Sequence, residues 1–196
     1  KYVTVDSVVI PNEVPSFTIE PNLKSHVIIT VGRICDTKNQ IDLIKAFSIF
    51  NKTHQSWKLL IIGDCNSNKD YYNSCVKLVT ALHLQDKVQF IGTSLNIPEY
   101  LQQSSIFAFP SKFEGFGLVV AGAFSLGKPV VASPVGGMKT LVNDQCGKLC
   151  LSDEDFVEEL YRLLNDYSYY TKKVNSAFLR GKELDNIELY MDNLTE

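Results

Sequence analysis

Two patterns of apolar residues alternate along the chain. Short, nearly continuous apolar runs at 26–31 (HVIITV), 57–62 (WKLLII), 87–91, 106–109 and 129–132 read as strands, and the first four end at Gly32, Gly63, Gly92 and Pro110. Between them apolar residues recur at helical spacing: Ile41, Ile44, Phe47 and Phe50 in 39–50, and Val76, Val79 and Leu82 in 71–84. A short helix at 97–102 is entered through Pro98, a good first-turn residue, and a further helix is predicted at 116–126. Strands that are apolar along their whole length are covered on both faces, and parallel neighbours require crossover helices. The predicted fold is therefore α/β, a doubly wound parallel sheet. From Ser152 on the pattern is helical: Ser152 and Asp155 form a capping box, with Phe156, Leu160, Leu163 and Leu164 as the buried stripe. Two more helices follow at 169–179 and 186–194, the last presenting Ile187, Tyr190, Met191 and Leu194. One domain, 1–196, accounts for all of this: a lead-in strand and linker over 1–24, a parallel core over 25–151, and C-terminal helices over 152–196.

Composition narrows the function classes. The chain begins at Lys1 and residues 2–10 read as strand, without the regions of a signal peptide, so a piece of a longer, cytoplasmic protein is expected. No apolar run reaches the roughly 20 residues that span a bilayer. A net charge of -3 and a pI near 5.7 supply no general footprint for nucleic acid, so anion binding must be local. The five cysteines are an odd, scattered set expected to stay as thiols. Cys146 and Cys150, four apart, fit one strand face, but no second pair or nearby histidine completes a zinc set, and no metal site is expected.

Open parallel sheets bind ligands beyond the carboxyl ends of their strands. Two loops qualify: GRICDTKN (32–39), which carries Arg33 and Lys38, and SKFEGFG (111–117), which carries Glu114 and leads into a helix. A helix start after a glycine-rich bend offers free N–H groups and the positive end of a dipole, which suit phosphate. Arg33 and Lys38 are either diphosphate ligands or solvated surface charges, and Glu114 is either a helix cap or a ligand-facing carboxylate. Other chemistries fit poorly. A dinucleotide fingerprint would need glycine where Val120 stands, no acidic pair follows the first strand as in a phosphoreceiver, and His26, His54 and His83 suggest no triad. Asp153-Glu154-Asp155 has the D-x-D form of metal-dependent sugar transferases, but its place in a capped first turn accounts for it.

Five segments together carry a resemblance: Val31-Gly32-Arg33 with Lys38-Asn39-Gln40; 59–63 (LLIIG); 88–92 (VQFIG); Phe109-Pro110-Ser111 with 114–118 (EGFGL); and 127–132 (GKPVVA). In order, and over nearly the whole chain, they resemble the C-terminal, donor-binding domain of GT-B glycosyltransferases of the retaining group called family four, the group 1 glycosyl transferases. Residues 9–12 (VIPN) look like that family's lead-in strand, and the last helix like the one that crosses back onto the partner domain. The resemblance implies half of a GT-B fold and a Rossmann-like sheet. It also implies a nucleotide-sugar as donor, a separate N-terminal acceptor domain, and transfer with retention to a glycan or lipid-linked acceptor in polysaccharide biosynthesis. Carried over by position, Arg33 and Lys38 hold the donor diphosphate, the backbone of Gly117, Leu118 and Val119 cradles it, and Glu114 contacts the transferred sugar. With two cations present, no metal or other cofactor is required. The implied location is cytoplasmic, including the inner membrane face reached through the missing domain, and the isolated domain is expected to bind without turnover.

Two positions depart from the family pattern. Its second glutamate, eight residues after the first, usually binds the nucleotide ribose and is here Gly122; the acidic residue three positions after Gly136-Gly137 is here Thr140. Two readings follow: a working transferase with an altered ribose contact, or a degenerate, non-catalytic domain.

Overall fold

The structure, a computed structural model, describes residues 25–185. The sheet runs β1 (Val27–Val31), β2 (Lys58–Ile62), β3 (Val88–Gly92), β4 (Ile106–Phe109), β5 (Val130–Ala132) and β6 (Gly147–Leu149), all parallel, in the order β3-β2-β1-β4-β5-β6. The helices are α1 (Gln40–Asn51), α2 (Lys69–Ala81), α3 (Ile97–Gln102), α4 (Leu118–Ser125), α5 (Met138–Leu141), α6 (Asp153–Asn165) and α7 (Tyr167–Asp185). Alternate residues of each strand feed opposite cores. Ile28, Leu59, Ile61, Ile106 and Ala108 pack under α1, α2 and α6. Ile29, Leu60, Ile62, Phe107 and Phe109 pack with α4 on the other face. This is the doubly wound α/β fold expected from continuous apolar strands.

Strand order reverses between β1 and β4. The chain winds outward through β2 and β3 in one direction and through β5 and β6 in the other. The loops after β1 and β4 therefore both lie at the switch point, where open parallel sheets form their ligand crevice. Both candidate loops lie there.

Several local expectations are corrected. In α2 the buried residues are Tyr71, Cys75 and Val79, while Val76 is exposed. The segment at 147–149 is an edge strand, and a further single turn of helix forms at α5. Cys146 and Cys150 flank β6 and enter different cores, so they do not share a face. Burial pushes the Cys150 thiol up to about 12 and raises that of Cys146. The helix predicted over 169–179 extends through the whole of α7. The lead-in strand and the helix at 186–194 lie outside the described residues. Among the described residues, no helix is long and apolar enough to cross a membrane.

Two buried lysines hold the frame. Lys128, 1% exposed, donates to the carbonyls of Gln102 (3.1 Å) and Ser104 (2.7 Å) and so ends α3 beneath β4. Lys173 on α7 donates to the carbonyls of Asp144 and Gly147, both at 2.7 Å, and lies 3.9 Å from Glu159 of α6.

Candidate functional site

The first three strands leave the sheet through glycines whose backbones touch. The Gly32 amide donates to the Ile62 carbonyl and that of Gly63 to the Gly92 carbonyl, each at 2.9 Å. A Cβ at Gly63 would overlap the Gly32 carbonyl oxygen. This close stacking sets where the Arg33 loop begins. Ile34 is buried and its amide donates to the Asp64 carbonyl at 3.1 Å, while the exposed Arg33 projects from the loop. A single 3₁₀ turn, Asp36–Lys38, then delivers Lys38, and Asn39 at φ 55° starts α1. The Thr37 carbonyl accepts from the Lys112 amide at 2.8 Å, joining this loop to the one after β4.

Lys38 and Glu114, 76 residues apart, meet across that junction. Nζ of Lys38 is 2.5 Å from Oε2 of Glu114 and 5.1 Å from the centre of the Phe109 ring. Both side chains are about one-fifth exposed (19% and 18%), so the pair is reached by solvent and is not sealed in. Ion pairs open to solvent contribute only about 0–1 kcal/mol, and an arriving anion can compete for the lysine. The other oxygen of Glu114 accepts from the Gly115 amide at 3.0 Å. Glu114 does not cap α4. The N-cap is Gly117 at φ 87°, with no side-chain cap and no acidic residue in the first turn. The amino end of α4 therefore keeps its positive dipole end and follows directly on the Glu114 turn, with Leu118 exposed and Val119 half-buried. Arg33 joins none of the ion pairs among the described residues. Its charge lies near Asp64, whose carboxyl is held low first by the Asn66 amide and, more weakly, by Arg33.

The Gly136-Gly137 pair, to which the sequence reading assigned no role, is the seat of the Glu114 turn. Gly136 has φ 48°, and a Cβ there would overlap the Glu114 carbonyl oxygen. Gly137 donates to the Gly115 carbonyl at 2.8 Å. The signal was present as two glycines after β5, but nothing local shows which backbone they approach. Gly122 is buried inside α4, and Thr140 is exposed with its carbonyl bonded to Arg180 at 2.8 Å. Neither carries a carboxylate to the crevice.

Asp153-Glu154-Asp155 occupies the first turn of α6, where Ser152 Oγ accepts from the Asp155 amide at 3.1 Å and Asp155 accepts from the Leu151 amide at 3.0 Å. Burial, then the neighbouring Asp42, pushes the Asp153 carboxyl up. A crevice of about 210 Å³ between the first turns of α1 and α6 includes Asp42, Ser133 and Asp153 but none of Arg33, Lys38 and Glu114. Among the described residues, no three His, Cys, Asp or Glu side chains gather as a metal set.

The chain is similar to known proteins both in sequence and in fold. An uncharacterised glycosyltransferase of Haemophilus influenzae is 31% identical over 167 residues, which is 82% of this chain and 46% of the relative. A Campylobacter jejuni enzyme, N-acetylgalactosamine-N,N'-diacetylbacillosaminyl-diphospho-undecaprenol 4-alpha-N-acetylgalactosaminyltransferase, is 29% identical over 176 residues, covering 88% of this chain and 46% of the enzyme. Anabaena HepE, solved in complex with UDP and glucose, superposes with a TM-score of 0.74 at 25% identity over 87% of this chain and 48% of that structure. The chain thus spans about half the length of these proteins. The profile of the family described as glycosyl transferases group 1 matches residues 14–179, and this chain belongs to that family.

Proposed function

We propose that the chain is the donor-binding half of a retaining glycosyltransferase that moves a sugar from a nucleoside diphosphate sugar to a glycan or lipid-linked acceptor. The observation that carries this reading is the Lys38–Glu114 pair set beside the uncapped start of α4 at the switch point. Cleaving the sugar–phosphate bond builds negative charge on the leaving diphosphate. Cations and N–H dipoles already aimed at that charge stabilise it where it develops. In this reading Arg33 and Lys38 bind the diphosphate, the backbone of Gly117, Leu118 and Val119 completes the cradle, and no metal is needed. As Lys38 turns to phosphate, Glu114 is released to meet a sugar hydroxyl. The acceptor comes from a separate domain, and the whole enzyme works in the cytoplasm, including the inner membrane face when the acceptor is lipid-linked. UDP in HepE and a diphospho-undecaprenol acceptor in the name of the Campylobacter enzyme support the two substrate classes.

Calorimetry with UDP-, GDP- and ADP-sugars tests the donor site: one class binds, and Arg33→Ala weakens that binding about ten- to a hundredfold. No binding of any of them at millimolar concentration would refute the reading. A second reading, a non-catalytic domain, is favoured by Gly122 and Thr140 alone. Losing a hydrogen bond to a charged group costs about 1.5–3 kcal/mol, roughly ten- to a hundredfold in affinity. A donor affinity weakened by that factor is compatible with turnover by the full-length parent; an inactive parent with intact donor binding would support the second reading.

A further inference from the structure

We propose that Gln40 is a positioning residue for the donor diphosphate, its buried carboxamide fixing the peptide plane that aims Arg33; this rests on the donor-site reading above. Gln40 is the first residue of α1 and is 1% exposed. Its Nε2 reaches back over the loop and donates to the Arg33 carbonyl at 2.9 Å. The same peptide unit is held from its other side, where the Ile34 amide donates to the Asp64 carbonyl at 3.1 Å. With the C=O and the N–H of one rigid plane both engaged, that plane cannot rotate, and the Cα–Cβ direction of Arg33 is set. Backbone restraint matters here because the Arg33 side chain is exposed and has no ion-pair partner among the described residues. Lys38 differs, being held through its own side chain by Glu114 and Phe109.

A purely structural role fits Gln40 poorly. Its Oε1 is buried and has no hydrogen-bond partner among the described residues. An amide buried with an empty acceptor bears a desolvation cost that an apolar side chain of similar size avoids. What an apolar residue cannot supply is the donor to Arg33. The nearby Cys35 thiol, 3.7 Å from the same carbonyl, is too weak a donor to substitute.

The test is a double-mutant cycle on UDP binding by calorimetry, with Gln40→Leu and Arg33→Ala made singly and together, and amide hydrogen exchange at Ile34 followed in the free chain. Gln40→Leu is expected to weaken UDP about tenfold, to add nothing further in the Arg33→Ala background, and to speed exchange at Ile34 without shifting the urea midpoint downward. Gln40→Glu, which keeps the shape and loses the donor, should reproduce the loss, while Gln40→Leu would do so without the carboxylate's charge. Equal losses in both backgrounds, or none, would overturn the assignment to Gln40. Absence of binding of UDP, GDP and ADP alike by the unmutated chain would overturn the donor-site reading and the proposal with it, whereas binding that Gln40→Leu leaves intact overturns the Gln40 role alone.

Discussion

Gly136→Ala perturbs the site through its support, without touching a charged residue. At φ 48° an L side chain costs about 1–2 kcal/mol. The added Cβ would also overlap the Glu114 carbonyl oxygen, a backbone atom that no rotamer change can move aside. Overpacking of this kind costs about 1–3 kcal/mol, giving roughly 3 kcal/mol for the two effects together. Gly115→Ala is the matched control: its φ lies outside the left-handed region and a Cβ meets nothing within 4 Å. It should stay within about 0.5 kcal/mol of the unmutated chain. Urea denaturation followed by circular dichroism reads the difference. At an m-value of about 2 kcal/mol/M, Gly136→Ala should lower the midpoint by about 1.5 M, and Gly115→Ala by almost nothing. Should Gly136→Ala fold and relieve the overlap by displacing the Glu114 turn, the stability loss will be smaller and UDP binding will fall. Two alanine variants with equal midpoints and equal affinities would refute the close approach.

Lys128 makes stability depend on pH. Burial holds its ammonium down to about 8, whereas the unfolded chain keeps the proton to about 10.5. Between these values the unfolded state binds more protons, so stability should rise with pH by up to about 3 kcal/mol; the rise should vanish in Lys128→Met, with urea midpoints measured from pH 7.5 to 10.5 as the check. Glu114→Gln frees Lys38 from its partner, so UDP affinity should hold or improve in this chain while turnover by the full-length parent drops at least a hundredfold; an unchanged rate would remove Glu114 from the reaction. Gly181→Ala places a Cβ 2.5–2.6 Å from the backbone of Phe124 and Ser125, and should cost about 1–3 kcal/mol by thermal unfolding with UDP affinity unchanged.

The main strands and their order of appearance were legible because each is apolar along its length, which is what burial on both faces demands. β6 was not: it is an edge strand of three residues, Gly147, Lys148 and Leu149, too short and too polar to form a run. In α2 the spacing of three, Val76-Val79-Leu82, found Val79 and Leu82 on the core face but took in the exposed Val76, whereas the buried set Tyr71-Cys75-Val79 steps by four and stays closer to the 3.6-residue period. The charged residues of the site were legible because chemistry at parallel sheets collects at strand ends. Their support was not. The Lys38–Glu114 meeting depends on strand order at the switch point, and the Gly136–Glu114 approach joins residues 22 positions apart through backbone alone.

Helix α7 shows how one glycine can hide an element in sequence while fixing it in space. Apart from Lys173, its buried residues Tyr170, Val174, Ala177, Gly181 and Leu184 step by 4, 3, 4 and 3, a regular apolar stripe interrupted where the side chain is missing. Read for hydrophobicity, the stripe ends near 179 and Leu184 stands alone. In the fold, α7 begins against the first core with Tyr170 and Val174 and finishes in the second with Ala177 and Leu184. At Gly181 it crosses the backbone of Phe124 and Ser125, leaving no room for a Cβ. The helix it presses on is α4, buried from Val120 to Ser125 and composed there of Val120, Ala121, Gly122, Ala123, Phe124 and Ser125. A helix enclosed on all sides gains most of its stability from packing, which offsets the roughly 1 kcal/mol that Gly122 costs in propensity. Only its first turn is open to solvent, at Leu118 and Val119. In the proposed donor site α4 therefore acts through its amino end alone, and the buried remainder of the helix holds that end still.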